Sequence, residues 1–294
     1  MSDFQWDPES NQTYDSSFGN TYLKGAGAQF SKESGTEFAM EAPECELTLD
    51  VTDDADIKWP LRLGGTNILR MFFTEGIFKI NTRGDIFLGL LNDGKYNYSQ
   101  NILLKASQST ISFISQEGTI TIGGREASRL EATDNASILL QAIAINFLAG
   151  NIICDEDAKI TCSALAITAE KSLNDLNAIP PVFNLMTYTN HTAQIEFKNI
   201  INDNNENPWH FAGSAGSHPQ GTCNFITNGK TANNNGKFIF RGMNGFARQY
   251  LQTSGFMAID GTPVIGEDEF NKRFSINEIF TDNQQNWTIE ISVK

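Results

Sequence analysis

Between residues 57 and 175 the chain breaks into short apolar runs closed off by glycine, asparagine and aspartate, and this spacing limits the possible folds more than any other feature. The runs include NILRMFF (67–73), IFKI (77–80), DIFLGLL (85–91), NILLKA (101–106), TISFI (110–114), TITI (119–122), AKITC (158–162) and LAITAE (165–170). Many begin about 7 to 10 residues apart, which is strand-and-turn spacing. Turn signals fall at Gly76, Gly84, Asp93-Gly94, Glu117-Gly118, Gly123-Gly124 and Gly150. A crossover helix needs about a dozen residues, and the gaps leave little room for one. Two all-β arrangements fit. A parallel β-solenoid stacks rungs of roughly 20 to 30 residues, each burying its inward Ile, Leu or Phe against the next. Antiparallel hairpins in a sandwich or barrel are the other. The solenoid is preferred for the central region, 56–179, because short alternating runs recur there with few two-residue hairpin signatures.

Residues 137–149 carry Ile138, Leu139, Ala142, Ile145 and Leu148 near helical spacing, with Gly150 as a stop. The alternation of Ile143, Ala144 and Ile145 and the strand-like flanks favour strand. The first 55 residues are polar, with aromatics isolated at Phe4, Trp6, Tyr14, Phe18, Tyr22, Phe30 and Phe38. They read equally as an N-terminal arm ordered by a partner subunit or as an irregular cap. Leu47, Leu49 and Val51 alternate and mark a first short strand. Pro180 and Pro181 suggest a boundary within 173–184. Beyond it, longer runs such as AQIEFKNI (193–200), KFIFRGM (237–243) and WTIEISV (287–293) are separated by Asn- and Gly-rich gaps. Residues 180–294 are therefore expected to form a C-terminal antiparallel β domain.

A net charge of −14 and the lack of a Lys/Arg cluster argue against nucleic acid and against anionic membranes as partners. The run SILLQAIAINFLAG (137–150) is too short to cross a bilayer, so membrane insertion is not expected. The N-terminus MSDFQWDPES has acids where an export signal has a basic patch and an apolar run, which fits a chain made in the cytoplasm. Cys45, Cys154, Cys162 and Cys223 have no metal-site spacing and read as free thiols in or near a core.

Chemistry is harder to read. The chain has no GxSxG elbow, no phosphate-cradling glycine motif and no HExxH pairing among His191, His210 and His218, so no cofactor, metal or catalytic residue is assigned. Two groups are candidates for ligand contact. Around Trp209 lie Asn202, Asp203, Glu206 and His210, where an indole face beside amides and carboxylates would suit a surface glycan. Asp155, Glu156 and Asp157 form a dense acidic turn that, with Glu131 and Asp134, could serve a glycosidase-type carboxylate site or a calcium ion. A solvated turn explains the same residues more simply. Five N-x-S/T sequons need no more than chance in so Asn-rich a chain.

The stretch SGFMAIDGTPVIGEDEFNKRF (254–274), with DGTPVIG after an apolar strand, resembles segments of bacteriophage tail-fibre and other virion appendage proteins. The Ile/Thr/Gly runs upstream are similar in texture to the β-helical stalks of such proteins. The resemblance maps no functional residue. It implies self-association, a homotrimer being one form, contact with other appendage subunits, a structural or receptor-binding role in a virion or assembled appendage, and no cofactor. A carbohydrate-active β-helix enzyme using groove carboxylates is the alternative.

Overall fold

The computed structural model describes residues 3–52, 60–65, 67–89, 102–123, 128–148, 150–169, 181–186, 190–199, 209–210, 220–228, 235–243, 245–281 and 286–294. The chain is all-β in class and most of its strands pair in parallel. Strands β1 (Gln12–Asp15) and β2 (Thr21–Lys24) flank a 3-10 turn at Ser16–Phe18, and the short helix α1 (Gly27–Phe30) follows. Next come β3 (Glu37–Val51), β4 (Leu61–Leu63), β5 (Leu69–Thr82) and β6 (Ile86–Leu88). Strands then recur in threes: β7 (Ile102–Ser107), β8 (Ser109–Ser115) and β9 (Thr119–Ile122), then β10 (Arg129–Thr133), β11 (Ser137–Gln141) and β12 (Ala144–Phe147). The pattern continues with β13 (Asn151–Cys154), β14 (Lys159–Ala164) and β15 (Ala166–Ala169), and with β16 (Val182–Met186), β17 (Gln194–Asn199) and β18 (Trp209–His210). Strands β19 (Cys223–Ile226) and β20 (Lys237–Met243) precede helix α2 (Gly245–Thr253). The chain finishes with β21 (Met257–Ile259), β22 (Thr262–Pro263), α3 (Glu267–Arg273), β23 (Phe274–Thr281) and β24 (Asn286–Val293).

Every third strand pairs with its counterpart, and three parallel ladders result. In the first, Phe38, Met71, Leu104, Leu130, Ile152, Phe183, Cys223 and Met257 stand in register. In the second, Leu47, Phe78, Ile111, Ile138, Ile160, Ile195 and Phe238 do the same. Leu61, Ile86, Ile120, Ile145 and Ile167 line the third. All these side chains are buried. Alternation along each strand sends one face inward, and parallel in-register pairing sets each inward residue about 4.8 Å from its successor. The core is therefore a set of columns running across the strands. Phenylalanines reinforce it, with Phe183 edge-on to Phe147 at 4.7 Å and to Phe197 at 5.0 Å, and Phe197 stacked on its register partner Phe240 at 5.3 Å.

Polar side chains stack by the same register. Asn224 Nδ2 donates to Asn184 Oδ1 at 2.8 Å, and Thr168 Oγ1 donates to Asn146 Oδ1 at 2.7 Å. Ion pairs link neighbouring strands on the outer faces: Lys79 with Glu46 at 2.7 Å, Lys105 with Glu131 at 3.1 Å and Lys159 with Glu196 at 2.6 Å, while Arg241 also pairs with Glu196.

The turn from first to second ladder repeats one conformation. Glu44 (φ 62°), Gly76 (φ 103°), Gln108 (φ 47°), Asp134 (φ 53°), Glu156 (φ 55°), Asn190 (φ 74°) and Asn228 (φ 50°) are all left-handed there. Strands β3 and β5 run continuously through this bend, so the first two ladders form a single sheet. A Cβ at Gly76 would lie 2.5 Å from Ala42 O, so this position needs glycine for space as well as for φ.

In the stretch read as strand rather than helix, residues 137–141 and 144–147 are two strands, as the β-branched alternation suggests. The antiparallel pairing expected across 180–294 is corrected. β16, β17, β19, β20 and β21 extend the parallel ladders, because their inward residues continue the same columns. Chain reversal is confined to the end, where β24 pairs antiparallel with β20 and β23, and β22 with β21. Helix α3 was not legible as a helix in the tail-fibre-like stretch. Its Glu267, Asp268 and Glu269 in the first turn and Lys272 and Arg273 in the last suit the helix dipole. At the other end, β1 and β2 both pair in parallel with β3 of the same chain, and Phe4, Tyr14, Phe30 and Phe38 are buried.

Candidate functional site

The acidic turn Asp155–Asp157 joins β13 to β14, directly between two other turns of the left-handed series. Its backbone is tied to the turn before it, with Asp155 N donating to Ala132 O at 2.9 Å and Asp157 N to Asp134 O at 2.9 Å. Each carboxylate is used within this stack. Asp155 Oδ1 accepts from Glu156 N at 2.7 Å, and Glu156 Oε2 accepts from Asp134 N at 3.1 Å. Asp134 Oδ2 accepts from the Ser107 and Thr133 hydroxyls. Asp157 reaches the following turn, where Oδ1 accepts from Thr192 N at 2.8 Å and Thr192 Oγ1 at 3.0 Å, and Oδ2 lies 3.2 Å from His191 Nδ1.

Acidities follow from these contacts. Burial raises the Asp155 carboxyl above its usual range, partly offset by the Glu156 N–H. The neighbouring Asp134 carboxyl raises Glu156, whereas the Ser107 hydroxyl holds Asp134 low. The Thr192 N–H and hydroxyl hold Asp157 low. Glu131 does not join this turn. It lies on β10, where it pairs with Lys105 at 3.1 Å and Arg129 at 2.7 Å. Among the described residues no group of three or more His, Cys, Asp or Glu could hold a metal ion.

In the second candidate group, Trp209 and His210 form β18, in register with Ile167 and Thr168 of β15. Their side chains, and all of Asn202, Asp203 and Glu206, lie outside the described residues. The cysteines are free, as the sequence suggests, and Cys154, Cys162 and Cys223 are buried. Burial pushes the Cys154 thiol up to about 12. No described helix is long and apolar enough to cross a membrane.

Sequence reasoning missed Glu196, whose carboxylate holds both Lys159 and Arg241, and the buried Lys32. The signal for Glu196 was its placement two residues off register from each cation on an alternating strand. Comparison with protein-family models, with curated proteins and with solved structures returns no match to this chain.

Proposed function

We propose that the chain winds as a parallel β-solenoid and works as a non-enzymatic structural and binding component of a larger assembly, of the kind found in virions and extracellular appendages. The observation that supports this most is the fate of the outward carboxylates. Glu46, Glu131, Glu196 and Glu290 each pair with a cation on a neighbouring strand, and Asp134, Glu156 and Asp157 each bind a neighbouring turn. A surface built this way links one step of the stack to the next. Repeated units that contact only their neighbours make extended scaffolds with long lateral faces, which suits side-by-side association and receptor contact. A homotrimer with a glycan receptor is the form that this reading favours.

Light scattering combined with small-angle X-ray scattering tests the proposal. An elongated, stable oligomer is expected, and a compact monomer would overturn the appendage role. A second reading, a carbohydrate-active enzyme, draws on the paired Asp134 and Glu156, whose carboxyls are pushed apart in acidity as an acid and base pair would be. Release of reducing ends from polysaccharides by the wild type, abolished in Glu156→Gln, would favour that reading over the first.

A further inference from the structure

Lys32 is completely buried, and its ammonium is held by the chain segment that leads into β1. Nζ donates to Asp7 O at 2.9 Å, Pro8 O at 3.2 Å and Ser10 O at 2.7 Å. An ammonium has three N–H donors, and here each meets a backbone carbonyl. The Trp6 ring covers another side, its centroid 5.6 Å from Nζ.

The surrounding contacts define what this cage holds in place. Ser34 Oγ donates to Pro8 O at 2.9 Å, and Trp6 Nε1 donates to Phe30 O at 3.1 Å. The Trp6 ring lies 5.0 Å from Phe38 and 6.3 Å from Phe78, and Phe4 meets Tyr14 edge-on at 5.0 Å. Residues 3–11 thus cover the apolar columns at their first strands. The other described ties of 3–11 are Asp7 N and Gln5 O to the Gln12 side chain, Glu9 N to Asp7 Oδ1, Phe4 edge-on to Phe18 at 5.2 Å, and, at the end of the segment next to β1, Asn11 Oδ1 accepting from Glu37 N at 2.8 Å. The charged groups facing the ammonium are Asp7 and Glu9.

We propose that residues 3–11 form a strap over the first strands and that the Lys32 ammonium is its lock, so that removing this one cation opens the strap while the ladders stay folded. The main-chain bonds of Lys32 support the separation. Lys32 N donates to Arg62 O at 2.8 Å and Gly64 N donates to Lys32 O at 2.9 Å, and neither depends on the side chain. The lock stands independently of the function proposed above.

The test is limited chymotrypsin digestion of the full chain, with cuts after Phe4 and Trp6 read by mass spectrometry and hydrogen exchange read over β7 to β14. Lys32→Ala should raise cleavage in the strap roughly a hundredfold, since several hydrogen bonds to a charged group are lost together. Lys32→Met, which keeps the stem and discards the charge, should open it similarly. Ethylammonium at tens of millimolar, roughly the scale of a weak fragment-sized ligand, should refill the cage of Lys32→Ala and restore protection, whereas ethanol should not. Exchange over β7 to β14 should be unchanged in both variants. Wild-type protection in Lys32→Met, equal action of ethanol and ethylammonium, or loss of protection spreading into β7 to β14 would each overturn the proposal.

Discussion

Replacing Glu196 with glutamine tests what a shared carboxylate contributes where neighbouring strands meet. The Glu196 side chain is 6% exposed, whereas Lys159 and Arg241 are 42% and 43% exposed. At the 2.6 Å separation from Lys159 the Coulomb attraction is roughly 6 kcal/mol at an effective dielectric of about 20. Desolvating the carboxylate offsets much of it, and solvent screens the half-exposed cations. The net contribution should be about 2 kcal/mol, between the values typical of surface and buried pairs. Glutamine keeps the shape but has one acceptor oxygen where the carboxylate offers two, so the loss reflects the charge together with one hydrogen bond. Burial pushes the Glu196 pKa up, yet the Lys159 and Arg241 side chains beside it hold the carboxyl below its ordinary value. A depressed folded value stabilises above the unfolded one and is lost as pH falls through the folded one. Urea titrations of both proteins should therefore differ by about 2 kcal/mol at pH 7, and the gap should close below about pH 4. A gap that persists undiminished in acid, or resists about 1 M salt at pH 7, would refute the electrostatic reasoning.

Three other perturbations address different parts of the structure. Gly76→Ala should destabilise the fold by roughly 2 to 4 kcal/mol in denaturant titration, because the new Cβ would meet Ala42 O at 2.5 Å at φ 103°, whereas Gly261→Ala, with φ 76° and open space, should lose only about 1 kcal/mol. Native thiol titration with an aromatic disulfide should modify the half-buried Cys45 first and leave Cys154, Cys162 and Cys223 unreactive until denaturant is added. Asp157→Ala should accelerate hydrogen exchange at Thr192, whose N–H it accepts at 2.8 Å, without moving the unfolding midpoint, since the contact is exposed.

The strand content was legible because β-branched and aromatic residues alternate over runs too short for helices, as at Thr119–Ile122 and Lys159–Ala164. Parallel stacking was less legible, because it depends on register between residues far apart. Leu130 and Ile152 are partners, yet nothing local marks either one. Longer runs after residue 180 suggested hairpins, although strand length does not specify pairing sense. The left-handed turn was visible only in retrospect: its occupants include Glu, Gly, Gln, Asp and Asn, so the conformation recurs while the residue does not. The acids of 155–157 are adjacent in the sequence, but their partners Asp134 and Thr192 come from neighbouring turns. Lys32 gave no signal, since its three acceptors are main-chain carbonyls and any residues can supply those.

The repeated left-handed turn also determines where the chain can grow. Between first and second ladders the join is Gln108 alone in one step and 134–136 or 155–158 in others, and Asp157 N of the last bonds back to Asp134 O of the one before. An insertion within 134–136 or 155–158 would break the bond between these two turns. The join from third ladder back to first differs: it spans 148–150 in one step and 89–101 in another, with the flanking strands paired in register all the same. That seam is not alone in varying, since β16 and β17 are separated by 187–193 and β19 and β20 by 227–236; what sets 134–136 and 155–158 apart is the bonds between them. Foreign peptides grafted between Leu88 and Ile102 should be displayed without altering the pitch of the stack, whereas the same graft at Gln108 should disrupt it.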